Sequence, residues 1–364
     1  MVGHVSCQGL LMSTTQEIRI GFIGSGGIAG VHAERYKRVP WVHVVGVADV
    51  VPDRAQGFID RYGFAGAQAF TDYREMLTMD LDAVDICTFN AAHYLPTMDA
   101  LRAGKHVLLE KPMAVTLAEA VEMVRQSRRS NRMLTIGFQS RYAPETILAR
   151  RIVSSGELGK VYYVESGGGR RHGIPGGSFV RRETAGGGAI LDIGCYSIDT
   201  VMYALGNPRP LTVSAYTSGF FGTSPTYRSG GWGGTFHHTD FSVEDFGAAF
   251  IRLEGGITYS FRIAWAMHME SLGPTLFLGT EGGLNLSERR IFHDHDGVMA
   301  HTDLSAEGGS DQQLQKVESF ARAVRGEIPN PLPGEDILHS EAMIDGIYRS
   351  AALGREVAIE IPAV

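Results

Sequence analysis

Ile18-Arg19-Ile20-Gly21-Phe22-Ile23-Gly24-Ser25-Gly26-Gly27-Ile28-Ala29-Gly30 is the stretch that decides the fold. Its first six residues are mostly apolar and read as a buried strand. A helical pattern runs from Ile28 to Val39. Between them lies a G-x-G-x-x-A turn. Gly24 permits the tight turn, Gly26 lets backbone approach a pyrophosphate, and Ala29 allows the helix to pack close on the sheet. Gly27 and Ile28 open the helix, whose unpaired N–H groups then face the phosphates. Glycine turns are common, and an ordinary strand-to-helix turn looks similar. The strand before and the helix after favour a dinucleotide site.

Asp49 ends the second apolar run, Val42 to Ala48. An acidic residue there commonly accepts from the adenosine ribose hydroxyls, and a carboxylate repels a 2′-phosphate. NAD is therefore expected over NADP. Arg54, close by in sequence, is the residue that could turn toward a phosphate instead.

Further apolar runs follow at Ala83–Thr88, His106–Leu109 and Leu134–Gly137. Helical patterns separate them at Pro52–Tyr62, Tyr94–Ala103 and Leu117–Ser127. Strand–helix alternation predicts a parallel sheet wound on both faces, over residues 17–140. Glu110-Lys111-Pro112 follows the His106–Leu109 run. That puts Lys111 at the carboxyl end of a strand, where an open parallel sheet presents residues to a bound dinucleotide.

The rhythm changes near Tyr142. A helix at Pro144–Ser154 and a strand at Lys160–Glu165 lead into a glycine-rich loop. Strand-like segments at 211–216, 247–253, 257–265 and 275–278 then follow with no regular helices between them. Residues 141–364 therefore read as a second, α/β domain with an open, mostly antiparallel sheet. Two helical patterns, 312–324 and 336–352, close it. The loop 217–239, rich in Gly, Ser, Thr and aromatics, is long enough to have a function of its own.

Gly186 to Gly206 reads as a helix stopped at Gly206, with Pro208 beyond. Ile190, Gly194, Ile198, Val201 and Leu205 share one face; Asp192, Tyr196, Asp199 and Tyr203 share the other. A face of carboxylates and phenols is either solvated or catalytic, and periodicity alone leaves both open.

A chain of 364 residues fits two domains, and 44% hydrophobic content fits a globular protein. The formal charge of −7 argues against a nucleic-acid footprint and gives no reason to expect an anionic membrane partner. No apolar run is long enough for a membrane span. Residues 1–16 read as a disordered N-terminal extension without a signal peptide, and Met12 is a possible start. Three cysteines are too few for a disulfide framework and fit the cytoplasm. Cys87 and Cys195 are expected to be small buried hydrophobes. His237-His238 and His293-Asp294-His295 bring no convergent third ligand in sequence, so no metal is expected.

From Ile18 onward the sequence resembles the Gfo/Idh/MocA family of glucose-fructose oxidoreductase and inositol dehydrogenase. The resemblance rests on the Gly24–Ala29 turn with His32, Thr88-Phe89-Asn90, Gly104 to Met113, and Gly186 to Gly206. Val243-Glu244-Asp245-Phe246 and Gly279-Thr280-Glu281-Gly282-Gly283 add to it. It implies a Rossmann domain, an α/β domain whose sheet forms a homodimer or homotetramer interface, and hydride exchange with a sugar, glycoside or polyol.

By resemblance the catalytic lysine is Lys111 and the catalytic carboxylate Asp192. Tyr196 stands where the family usually has histidine. Thr88, Asn90, His93, Glu110, Lys111 and Gln139 fall beside the cofactor. Arg141, Asp192 and Tyr196, with Arg170 and His172 on the basic loop 167–182, fall by the substrate. A solvated basic surface is the alternative for that loop.

Oxidising a secondary alcohol leaves a hydroxyl proton to remove, and free lysine and free phenol are both poor bases at neutral pH. Burial and an oxidised nicotinamide are expected to lower Lys111, and Lys111 to lower Tyr196, so that the two titrate as a pair. Two other functions carry related sequences: a hydrolase that oxidises a glycoside transiently and retains its cofactor, and a non-catalytic sugar sensor. Lys111 with Asp192 argues against the sensor, and Tyr196 argues against the hydrolase.

Overall fold

The computed structural model describes residues 16–227, 234–305 and 311–364. The extension read over residues 1–16, with Cys7, lies outside them except for Gln16, as does the middle of the loop 217–239.

The first sheet comprises β1 (Ile18–Ile23), β2 (Val42–Ala48), β3 (Gln68–Phe70), β4 (Ala83–Ile86), β5 (His106–Leu109) and β6 (Leu134–Ile136). Its order is β3-β2-β1-β4-β5-β6, and every neighbouring pair is parallel. The order reverses at β1, so a crevice opens beyond the carboxyl ends of β1 and β4, where such sheets bind ligands. The connecting helices are α1 (Gly27–Tyr36), α2 (Arg54–Tyr62), α3 (Tyr73–Leu77), α4 (Tyr94–Arg102) and α5 (Leu117–Ser130). Thr116 caps α5 by accepting from Glu119 N–H, one half of a capping box.

The sequence expectation lacked β3 and α3. Gln68 and Ala69 are exposed, so β3 carries no apolar run to be read. It pairs with β2 in the sheet, and its last residue, Phe70, packs against the apolar core.

The second sheet contains β7 (Val161–Gly169), β8 (Pro210–Ser218), β9 (Phe246–Leu253), β10 (Ile257–Ala264), β11 (Leu276–Gly279), β12 (Gly282–Asn285), β13 (Arg290–His295), β14 (Val298–Asp303) and β15 (Val357–Ala358). Its order is β14-β13-β12-β11-β7-β10-β9-β8-β15. Only β7 and β10 run parallel; the other pairs are antiparallel. Helices α6 (Pro144–Ser155), α7 (Arg182–Ala185), α8 (Cys195–Leu205), α9 (Gln312–Val324) and α10 (Gly334–Leu353) complete the chain. α8 and α10 pack on the sheet, and α6 packs on α8. On the strands Val164, Val213, Ile251, Tyr259 and Phe261 are buried, whereas Tyr162, Tyr216, Phe250 and Phe292 are exposed.

The division at residues 140 and 141 separates the two sheets, but α9 crosses it. Val317, Phe320 and Ala321 join the apolar core that holds Phe22, Ala29, Ala33 and Tyr36. Asp311 at the start of α9 pairs with Arg35 of α1 and with Arg38 just beyond it. Among the described residues no helix is long and apolar enough to cross a membrane.

Candidate active site

The glycine turn adopts the form its sequence requires. Gly24 has φ +89°, and a Cβ there would lie 2.8 Å from the carbonyl oxygen of Cys87; only glycine fits. A Cβ on Gly26 or Gly27 meets nothing within 4 Å, so open space lies over the turn. The amino terminus of α1 has no side-chain cap, which leaves its N–H groups for an anion. Ile28 leads into the helix behind this turn.

Asp49 lies beside the turn. Its Oδ2 accepts from Ser25 N at 3.0 Å and from Ser25 Oγ at 2.6 Å, and its Oδ1 accepts from Val51 N at 3.0 Å. Burial pushes the Asp49 carboxyl up. The Ser25 and Val51 hydrogen bonds, helped by Arg54, more than reverse this and hold it below its ordinary value. It stays an anion next to the phosphate cradle. Arg54 is exposed at the start of α2.

Lys111 stands just past β5. Its Nζ donates to Asp192 Oδ1 at 3.2 Å and to the Asp192 carbonyl at 2.9 Å. It also lies 4.7 Å from the centre of the Tyr196 ring, a cation–π distance. Asp192 is held from its other side by Trp265, whose Nε1–H donates to Oδ2 at 3.0 Å. Gln139 Nε2 donates to the Tyr196 hydroxyl at 2.7 Å.

The element carrying Asp192 is not one uninterrupted α-helix. A π-helical turn, Ile190–Gly194, precedes α8. Such turns are rare and recur at functional sites. Glu244 fixes the entry: its Oε1 accepts from Gly188 N at 2.9 Å, Ile190 N at 3.0 Å and the Tyr348 hydroxyl at 2.9 Å. A Cβ on Gly188 would sit 1.8 Å from the Glu244 carbonyl oxygen, so the glycine run is a demand of close approach. Gly206 ends α8 with φ +84°, as read from sequence.

The solvated reading of the polar face does not hold. Asp192 and Asp199 are 3% and 0% exposed. Asp199 takes a bidentate pair from Arg141, with Nε and Nη2 contacts of 3.0 and 2.7 Å. Arg141, expected near substrate, is thus a buried counter-ion: its guanidinium is turned to Asp199 and to the Tyr203 ring, 4.9 Å away. Periodicity placed both aspartates on one face, and two cations, Lys111 from the first domain and Arg141 from the start of the second, make that face an interior one.

The titration expected for Lys111 and Tyr196 is also corrected. Burial pulls the Lys111 ammonium down, but the Tyr196 and Asp192 charges beside it more than offset this and raise it. Burial pushes the Tyr196 phenol well up, although Lys111 pulls it down as anticipated. Desolvation is the largest influence at Tyr196 because the phenol is mostly buried and a phenolate there would be poorly solvated.

The remaining expected residues form the scaffold of this site. Thr88 Oγ1 donates to the Ala92 carbonyl at 3.1 Å. Asn90 Nδ2 donates to the Ala185 carbonyl at 2.9 Å, tying the first domain to the end of α7. The buried His93 ring has Nδ1 2.8 Å from the Pro112 carbonyl and Nε2 3.3 Å from the Thr88 carbonyl; burial lowers its pKa, and the neutral ring donates to one of the two, the Pro112 contact being the shorter. Glu110 accepts from Lys111 N and points into the protein. Arg170 donates to the Gly173 carbonyl, and the exposed His172 stacks on Tyr227 with centroids 6.0 Å apart. Arg181 pairs with Asp240 at the surface.

Of the histidines weighed for a metal, His237 bonds to Thr239, and the His293 and His295 rings lie 5.7 Å apart on β13. Another cluster lies inside the first domain. His32 Nδ1 is 2.8 Å from Asp85 Oδ2, and Cys87 Sγ donates to Asp85 Oδ1 at 3.2 Å. These are hydrogen-bond separations within a buried group. Cys87 and Cys195 are buried and free.

A dinucleotide cradle at the switch of a parallel sheet, with a lysine–carboxylate pair clamped between two domains, is the arrangement of a nicotinamide-dependent oxidoreductase. Residues 18–138 match the oxidoreductase family with an NAD-binding Rossmann fold, and residues 146–285 match the GFO/IDH/MocA C-terminal domain; the chain belongs to this family. D-glucoside 3-dehydrogenase of Escherichia coli is 30% identical over 95% of this chain and 99% of that protein. 1,5-anhydro-D-fructose reductase of Ensifer adhaerens is 28% identical over 94% of this chain and 98% of that protein. Aldose-aldose oxidoreductase of Caulobacter crescentus, solved with glycerol, is 25% identical with TM-score 0.77, covering 94% of this chain and 100% of that one.

Proposed function

We propose that this protein oxidises a secondary hydroxyl of a sugar with NAD, and that D-glucosides are its substrate class. The observation that carries the reading is the buried Lys111–Asp192 pair beside the Tyr196 ring, at the carboxyl end of β5. Full-length similarity to a D-glucoside 3-dehydrogenase supports the substrate class. A sensor has no use for such a pair. The hydrolase reading gains no support from the relatives, which are dehydrogenases, reductases and oxidoreductases by name.

Gly24, Gly26, Gly27 and Ile28 would hold the pyrophosphate and Asp49 the adenosine ribose. The open space over Gly26 and Gly27 and the uncapped α1 terminus fit that group. Bound NAD supplies the hydride acceptor and, when oxidised, a positive charge. That charge lowers the pKa of Lys111 and Tyr196 from the raised values that burial and pairing give them. Asp192 fixes the Lys111 ammonium at two points, and Trp265 fixes Asp192. The substrate hydroxyl proton passes to the Lys111–Tyr196 pair, which titrates as a unit. Gln139 orients the phenol. Thr88, Asn90 and His93 keep the Lys111 turn in place.

The exposed face of the second sheet, with Tyr162, Tyr216 and Phe250 on it, is the surface for a second copy of the chain, giving a dimer or tetramer of closed symmetry. Two free buried cysteines fit a reducing compartment, the cytoplasm.

The test is NADH formation, read by absorbance, with D-glucosides, free aldoses and inositols. Turnover of a glucoside is expected. Turnover of inositols alone would move the substrate class to polyols, and no turnover of any of them would overturn the proposal.

A further inference from the structure

We infer that the aromatic cluster at the end of the second sheet is a subsite for the second ring of a glycoside substrate, an aryl aglycone or a second sugar. The inference rests on the glucoside reading above and narrows it from sugars in general to ring-bearing glycosides.

Three loops meet at one end of the sheet. β7 and β10 are parallel with Gly169 opposite Ala264, and β9 and β8 bring Phe246 and Ser218 to the same end. The loops after β7, after β8 and after β10 therefore share one rim. They are stitched together: Arg170 N donates to Ala264 O at 3.0 Å, and Trp265 N to Asp245 O at 2.8 Å. Gly222 N donates to the buried Asp245 carboxylate at 2.7 Å.

On that rim His172 stacks on Tyr227 at an interplanar angle of 18°, Tyr227 meets Phe221 at 5.6 Å, and Phe221 meets His268 at 5.2 Å. Each of the three loops contributes a ring. The Tyr227 hydroxyl lies beside the backbone of Gly173 and Ile174. Beside these rings Phe220 is 73% and Met269 63% exposed, and the His172 and His268 side chains are exposed as well. A single exposed apolar residue means little, whereas a contiguous patch at the mouth of a site marks a binding surface.

Packed, buried side chains join the cluster to the catalytic centre. Trp265, which holds Asp192, is edge-on to Phe241 at 6.5 Å. Gly222 is pressed against Phe241, since a Cβ there would be 2.3 Å from its ring. The tract thus runs from Asp192 through Trp265 and Phe241 to Phe221 and outward. The reacting sugar has to reach Lys111, so the outer rings are left for what that sugar is bonded to. Aromatic faces take the apolar face of another ring by stacking. A methyl aglycone has no such face to offer.

The experiment compares kcat/KM for methyl β-glucoside, phenyl β-glucoside and cellobiose, in wild type, Phe221→Ala and His268→Ala. His268 is exposed, so its variant tests the cluster without disturbing the loop's packing. Wild type should favour one or both ring-bearing substrates over the methyl glucoside by about tenfold. That ratio should fall at least threefold in each variant. The phenyl and cellobiose arms separate an aryl from a sugar occupant. Equal kcat/KM for all three in wild type, or a ratio unchanged in both variants, overturns the inference while the glucoside reading stands. If none of the three reduces NAD, the glucoside reading fails and the inference with it. A change in mass by light scattering with an unchanged ratio would also overturn it, by assigning the patch to contact between copies.

Discussion

Lys316 Nζ lies 2.5 Å from Glu110 Oε1, and both side chains are buried. The two residues are 206 positions apart. They join α9 to the residue just before Lys111. The same Glu110 oxygen is 3.2 Å from His32 Nε2, and its other oxygen accepts from Lys111 N. Burial pushes the Glu110 carboxyl up; Lys316 and then His32 more than reverse it and hold it well below the usual carboxylate range. The turn that presents Lys111 is therefore anchored by a charge pair inside the protein.

Lys316→Met should destabilise the fold by about 3–5 kcal/mol, because it leaves a buried carboxylate without its main counter-charge. Adding Glu110→Gln should restore part of that loss. Thermal or denaturant unfolding of both variants measures it. A double variant no more stable than Lys316→Met would show that the charge pair is not the source.

Asp49 should make NAD(H) bind at least about tenfold tighter than NADP(H), roughly 1.4 kcal/mol. Asp49→Ala should narrow the ratio. Cofactor fluorescence titration reads both. Equal or tighter NADP(H) binding in wild type would give Arg54 the deciding role.

Trp265→Phe keeps a ring in the core but removes the N–H that holds Asp192 Oδ2. Hydrogen bonds to charged groups contribute about 1.5–3 kcal/mol. kcat should fall at least about tenfold, with NAD affinity nearly intact. An unchanged kcat would mean that Lys111 alone suffices to orient Asp192.

Glu341 gives a pH signature. Its Oε1 accepts from Met113 N at 3.1 Å, and Arg182, Asp345, Tyr348 and Arg349 line the same cavity. Burial pushes its carboxyl from the usual 4.5 up to about 8. Between those two values the folded chain keeps a proton that the unfolded chain has lost. This stabilisation is present in acid and is lost as pH rises through the window, by up to about 1.4 kcal/mol per unit. Glu341→Gln should flatten the fall in melting temperature between roughly pH 5 and pH 8. An identical pH profile in the variant would contradict the assignment.

The parts of the fold that were legible are those written in local pattern. The Gly24 turn, the alternation of β1, β2, β4, β5 and β6 with helices, and the stop at Gly206 depend on residues a few positions apart. β12, β13 and β14 escaped because they lie toward one edge of the second sheet. His295 and all of β14 except Ala300 are exposed, so no apolar run marks them. Lys111 and Asp192 came from strand position and resemblance, and the structure brings them together. Trp265 and Lys316 were missed, and so was the pairing of Arg141 with Asp199, because the partners are far apart in the chain. One local signal for Lys316 existed. It sits within the apolar stripe of α9 next to Val317, Phe320 and Ala321, where a lysine needs a buried partner.

The most direct test of the account is turnover in Lys111→Ala, with NAD binding measured on the same sample. Lys111 is placed at the reacting centre and away from the adenosine end. The account predicts that kcat/KM for a glucoside falls by about 10²–10⁴-fold, while the dissociation constant for NAD changes by less than about threefold. Wild-type turnover in Lys111→Ala would contradict it, and would leave the Lys111–Asp192 pair as a structural clamp between the two sheets.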